Sequence, residues 1–222
     1  MGCDCSETKI KTAVITGMHP YDVPNFYGIF KAMPDVDFYP QNLWDFATCP
    51  PEIRGWYDVV VFYNMHMETP NPEAGPWDAL MKAALDQIGE SSQGVLLLHH
   101  SILAWPELQL WNDLTGVQQR GFGYHIGETV TYDIAAPEHP ITKGLTSWTM
   151  MDETYTMAEP PASCEVLITA DHEKSMKSIA WTNQYKQVKV FCYQSGHDNA
   201  TYPDANFRTV MNRGIEWLAG RI

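Results

Sequence analysis

The stretch VLLLHHS, residues 95–101, is four apolar residues that run without a break into two histidines and a serine. The apolar half is too short for an ordinary helix, and no charge or proline interrupts it. It reads as a strand covered on both faces, the usual appearance of a parallel-sheet strand. A second nearly continuous apolar run, YDVVVFY, spans 57–63. Between the two, residues 76–88 place Trp77, Leu80, Met81, Ala84, Leu85 and Ile88 three and four apart, the period of a helix with one apolar face. Pro76 stands where a first helical turn tolerates it. Strand, helix, strand, with both strands buried, is the repeating unit of a parallel sheet.

The pattern continues outward in both directions. Upstream, residues 11–17 (KTAVITG) predict a strand, 25–33 a helix and 36–39 a second short strand. Downstream, 102–114 predict a helix that runs through Pro106, and 188–193 a last strand. Phe207, Val210, Met211, Gly214, Ile215 and Leu218 then line one face of a closing helix, and the tryptophans, among them Trp44, Trp77, Trp105, Trp111, Trp148 and Trp181, read as mostly core. Residues 128–182 break this rhythm. They carry strand-like pieces at 128–134, 165–170 and 178–182, with turns at His139-Pro140 and Pro160-Pro161. This is a β-rich excursion with antiparallel strands, inside one α/β domain spanning 11–222, preceded by a flexible extension over 1–10.

Composition bounds the function. Of 222 residues 45% are apolar and 18% charged, enough to bury a core and to exclude disorder. Fourteen basic against 27 acidic residues give a net charge of −13, with the basic residues scattered. A phosphate backbone would be repelled, so no nucleic-acid partner is expected, and a neutral or small partner fits. No run is long and apolar enough to span a membrane, and no secretory segment opens the chain. Gly2 and Ser6 match an acylation pattern, and Cys3 and Cys5 make a poor metal grip on a frayed terminus. Five dispersed cysteines read as reduced thiols in a cytoplasmic protein. No phosphate-cradling glycine loop appears.

In an open α/β sheet, ligands bind beyond the carboxyl ends of the strands. Past the predicted strand ends lie His19, then His66, then His99-His100-Ser101, then His197-Asp198: five of the eight histidines. Singly, each reads as a polar loop residue. Together they would converge on one crevice, where histidine shuttles protons near neutral pH or binds a divalent metal such as zinc. No ligand spacing fixes such a metal. In the excursion, Glu153 and Tyr155 stand two apart, which puts them on one face of a strand as base or ligand and as hydrogen-bond donor. The competing reading is a solvated acidic turn. Ser101 follows a strand as a nucleophile would, but outside any G-x-S-x-G.

Taken in order, LLLHHS (96–101), GFGYHIGETVTYD (121–133), HPITKGL (139–145), MDETYTM (151–157), IAWTNQY (179–185), VFCYQSGHD (190–198) and FRTVMNRGIEWLAG (207–220) resemble the ThuA-like family, named for trehalose utilisation. The resemblance implies a flavodoxin-like sandwich of the class I glutamine amidotransferase type, with His99-His100-Ser101 at the elbow where a nucleophilic cysteine would stand. Glutaminase chemistry is therefore not expected. It implies a carbohydrate-processing enzyme, acting on a sugar or a 3-keto glycoside by acid/base or metal-assisted enolisation. A non-catalytic carbohydrate-binding or sensing domain is the alternative. Catalytic roles fall to His100, Glu153, Tyr155 and His197, and substrate contacts to His19, His66, His99, Ser101, His125 and Asp198. His125 comes from the resemblance alone. Assembly as a homo-oligomer is compatible with the family fold.

Overall fold

The computed structural model describes residues 8–222; Gly2, Ser6, Cys3 and Cys5 lie outside them. Among the described residues nine strands form one sheet in the order β2-β1-β3-β4-β9-β8-β7-β5-β6. Five of them, β1 (Ile10–Gly17), β2 (Val36–Asn42), β3 (Val59–Asn64), β4 (Gly94–Leu98) and β9 (Val188–Tyr193), are mutually parallel. Both central strands β3 and β4 are buried at every position, which is what their unbroken apolar sequence requires.

Helices cover both faces. On one, α1 (Val23–Lys31) and α6 (Ala205–Leu218) close a core that includes Phe26, Phe30, Leu96, Phe191 and Phe207. On the other, α2 (Leu43–Thr48), α4 (Pro76–Asp86) and α5 (Gln109–Thr115) pack over Phe62, Leu97, Trp105, Trp111 and Trp181. A one-turn helix, α3 (Pro51–Arg54), links α2 to β3.

Three expectations change. The helix expected over 102–114 is a 3-10 turn, His99–Leu103, followed by α5. Pro106 cannot donate into a helix, and the chain breaks there. The carbonyls freed at Ile102, Ala104 and Trp105 accept instead from the buried Arg120 guanidinium. Next, Trp44 and Trp77 are surface residues whose rings meet 4.3 Å apart, and Leu80 is also exposed; α4 buries its Ala84–Leu85 side. Finally, the β-rich stretch is no appendage: β5 (Gly123–Ile134), β6 (Trp148–Thr156), β7 (Glu165–Ala170) and β8 (Ser178–Tyr185) extend the same sheet with antiparallel pairing.

One detail of that extension positions the site. β5 pairs with β7 only through Tyr132–Ile134, whereas its pairing with β6 reaches back to Gly123. The far half of β5–β6 is therefore a two-stranded ribbon. It is tied to the loop after β9 by Asp152, which accepts the backbone N–H groups of Gly196 and His197, each at 3.1 Å. Among the described residues no helix is long and apolar enough to cross a membrane.

Candidate active site

Four polar side chains meet where the ribbon touches the ends of β4 and β9. His99 Nε2 lies 2.7 Å from the Tyr155 hydroxyl, 3.0 Å from Glu153 Oε2 and 3.2 Å from His197 Nδ1. Glu153 Oε2 is also 3.1 Å from His197 Nδ1 and accepts from the Tyr155 hydroxyl at 2.9 Å. His99 sits at the junction of β4 and the 3-10 turn with φ +52°, a left-handed conformation that non-glycine residues seldom adopt and that costs about 1–3 kcal/mol. That strain turns the side chain away from the sheet and onto the cluster.

Two acceptors meet beside His99. Its Nδ1 meets the Gln194 carbonyl at 2.6 Å, and a carbonyl only accepts, so Nδ1 carries the proton. In a neutral ring, Nε2 then presents a lone pair, and Glu153 Oε2 faces it with another at 3.0 Å. Tyr155 has one proton to give and His197 Nδ1 another, so the two acceptors are satisfied either by these two protons or by a cation bound among the three atoms.

The donor set fits a cation. His99 Nε2, Glu153 Oε2 and His197 Nδ1 form a triangle with edges of 3.0, 3.1 and 3.2 Å. A tetrahedral zinc at about 2.0–2.2 Å from nitrogen and oxygen donors holds them roughly 3.3–3.5 Å apart, so a small outward shift accommodates it. Two histidines and a glutamate suit zinc and leave a fourth position open. The bond from His99 Nδ1 to a backbone carbonyl is the support a metal-binding histidine ordinarily has.

Electrostatics agree with these roles. Burial pushes the Glu153 carboxyl up, but hydrogen bonds and charge from His197 and His99 outweigh it and hold the group well below the usual carboxylate range. The hydrogen bond to Glu153 raises His197. Burial, then the nearby charge of Glu153, keeps the Tyr155 phenol protonated far above its ordinary value. His19, lowered by burial and by His99 and His197, is neutral at pH 7.

His19, Glu153, Tyr155 and His197 line one crevice together with Met65, Phe122, Tyr124 and Ile126. His100 is placed beneath it: its ring is stacked 4.2 Å from His19, and its Nε2 meets the Tyr63 carbonyl at 3.3 Å. His66 stacks on Trp105 and bonds Asn64. Ser101 is buried against Asn64, with its carbonyl taking the Trp111 indole N–H. Asp198 caps the turn at Ala200. His125 pairs across the ribbon with Thr154, on the face opposite Tyr155, close enough to Glu128 to help hold that carboxyl down. Asp152 belongs to the acidic pair beside Tyr155, but the sequence assigns it no role; its three backbone donors are Glu153, Gly196 and His197. Nor does the sequence single out Gln194 or the apolar residues of β5. These depend on which strands pair, and no local spacing reports that.

A family model described as ThuA, trehalose utilisation, matches residues 55–218. No match is found among curated proteins. Among solved structures, a ThuA-like protein from Parabacteroides merdae is similar with a TM-score of 0.77 and 18% identity, over 97% of this chain and 92% of that one. A cytoplasmic protein from Salmonella typhimurium has a TM-score of 0.67 at 12% identity, covering 93% and 98%. A glutamine amidotransferase from Thermotoga maritima has a TM-score of 0.57 at 11% identity, covering 95% and 98%. At these identities the likeness is one of fold.

Proposed function

We propose, starting from the fact that the chain belongs to the ThuA family of trehalose utilisation, that it is an enzyme of sugar metabolism acting on an oxidised, 3-keto glycoside. The observation that carries this reading is the convergence of His99, Glu153, His197 and Tyr155 on one crevice, three of them as donors suited to a divalent metal. When bound there, the metal would act as a Lewis acid on the substrate carbonyl.

The chain's own groups divide the remaining work. A ketone at C3 acidifies the hydrogen at C2. Neutral His19, which lines the crevice, takes that proton as general base. The C–H electron pair moves into the C2–C3 bond, and Tyr155, held protonated, donates to the oxyanion that develops at C3. When the electrons return, the C1–oxygen bond breaks, and the departing glycosidic oxygen takes the proton held by His19, which returns that ring to its neutral form. Addition of water to the resulting enone completes a net hydrolysis. Asp152 holds the His197 loop against the ribbon throughout.

The test is NMR of the zinc-supplemented protein with a 3-keto disaccharide in deuterated buffer. Deuterium entry at C2, followed by glycosidic cleavage, is expected of the wild type and lost in Glu153→Gln and Tyr155→Phe. Saturable binding with neither exchange nor cleavage would replace the enzyme by a carbohydrate-binding domain.

A further inference from the structure

The crevice lining has a polar and an apolar part. The polar part has been described. The apolar part includes Phe122, Tyr124 and Ile126, alternate residues entering and following the start of β5, so that all three share one face. Register fixes where that face looks: Tyr124 pairs directly with Tyr155, whose hydroxyl is 2.7 Å from His99. Tyr124 and Ile126 are each 60% exposed, although they line a concave wall. A shift in register between His125 and Glu128, with Gly127 at φ +74°, lets this end of the ribbon lean over the crevice. The cavity holds about 310 Å³, at the small end of ligand sites, which suits a single ring better than an extended chain.

We propose that Tyr124, with Phe122 and Ile126 beside it, is a platform on which the C–H face of one pyranose ring lies while its hydroxyl rim meets His19, Glu153 and His197. The inference rests on the sugar reading of the site. A pyranose with equatorial hydroxyls matches such a crevice because its faces are apolar and its edge is polar, and an aromatic ring packs against the former. A linear polyol has equivalent hydroxyls but no flat face. Tyr124 therefore sets specificity for cyclic sugars with an unbroken C–H face and takes no part in the chemistry.

The experiment is saturation-transfer NMR on the full chain with zinc, using trehalose and glucitol as probes, beside Tyr124→Ala and Tyr124→Phe. Irradiating the protein's aromatic protons should reach the ring C–H protons of trehalose. Its Kd should weaken about tenfold in Tyr124→Ala, stay within roughly twofold in Tyr124→Phe, and glucitol should give no transfer. Tyr124 is largely exposed, so neither variant threatens folding. Trehalose binding unchanged in Tyr124→Ala, or glucitol bound as well as trehalose, overturns the platform and leaves the sugar reading standing. Failure of the wild type to bind either trehalose or a 3-keto disaccharide overturns both.

Discussion

Removing His99 should abolish the stabilisation that zinc confers on this protein. The three donors His99 Nε2, Glu153 Oε2 and His197 Nδ1 form a near-equilateral triangle that a tetrahedral ion caps with a small expansion. A ligand at one hundred times its Kd stabilises the native state by about 2.7 kcal/mol. In a domain of this size each kcal/mol moves the melting temperature about 2–4 °C, so saturating zinc should raise it by about 5–10 °C relative to protein in chelator. His99→Ala leaves two donors, and the zinc-induced shift should fall below about 1 °C. The variant also loses the bond to Gln194 and opens a small cavity, lowering the chelator baseline by about 2–4 kcal/mol. The shift on adding zinc is therefore the quantity to compare. His125→Ala, altered on the opposite face of the ribbon, serves as the control and should shift as the wild type does. Differential scanning calorimetry at fixed protein concentration reads all three. An equal shift in His99→Ala, or a wild type that does not respond to zinc, would refute the reasoning.

Two further substitutions test the frame that holds the cluster. Arg120 is buried and bonds the carbonyls of Ile102, Ala104 and Trp105 and the Asn112 side chain at 2.5–3.0 Å, so Arg120→Ala should lose about 3–5 kcal/mol in urea denaturation; a loss below 1 kcal/mol would mean water satisfies those carbonyls. Gly94 opens β4 where an added Cβ would stand 2.6 Å from Leu218 Cβ and 2.9 Å from its carbonyl oxygen. Gly94→Ala should cost about 1–3 kcal/mol by pushing α6 off the sheet, and an unchanged urea midpoint would show that α6 yields freely.

The parallel core was legible because its physics is local. Residues 59–63 and 95–98 had to be strands buried on both faces, and the histidines past their ends had to share one edge once the strands were parallel. Glu153 and Tyr155 were legible for a similar reason, since a spacing of two fixes a face. What remained hidden depends on pairing between distant segments. Nothing near Tyr124 says that it stands opposite Tyr155, and nothing near His125 says that it stands opposite Thr154. The same holds for Trp44 and Trp77: a helical period identifies an apolar face without saying whether anything covers it. The break at Pro106 is by contrast a local effect, in which the missing N–H outweighs the apolar residues on either side.

The division of the site between two kinds of scaffold explains Asp152. The parallel strand β4 runs directly into the buried His99, and the loop after β9 carries the partly buried His197. Glu153 and Tyr155 come instead from a two-stranded ribbon, which Met176 N–H on the Tyr155 carbonyl and the Thr154 hydroxyl on the Lys174 carbonyl tie to the loop before β8. A donor triangle with edges near 3 Å cannot tolerate independent movement of its two halves. Asp152 adds the restraint that reaches the His197 loop. It is adjacent to Glu153 on the ribbon, yet its carboxylate accepts the N–H groups of Gly196 and His197 from the opposite half. Burial raises its pKa against the pull of His99 and those N–H groups, so ionising this carboxyl is harder here than in water. An apolar residue would remove that cost and, with it, the acceptor that three backbone donors share. Those shared bonds fix the separation between the ribbon and the His197 loop, which the histidine–carboxylate cluster requires.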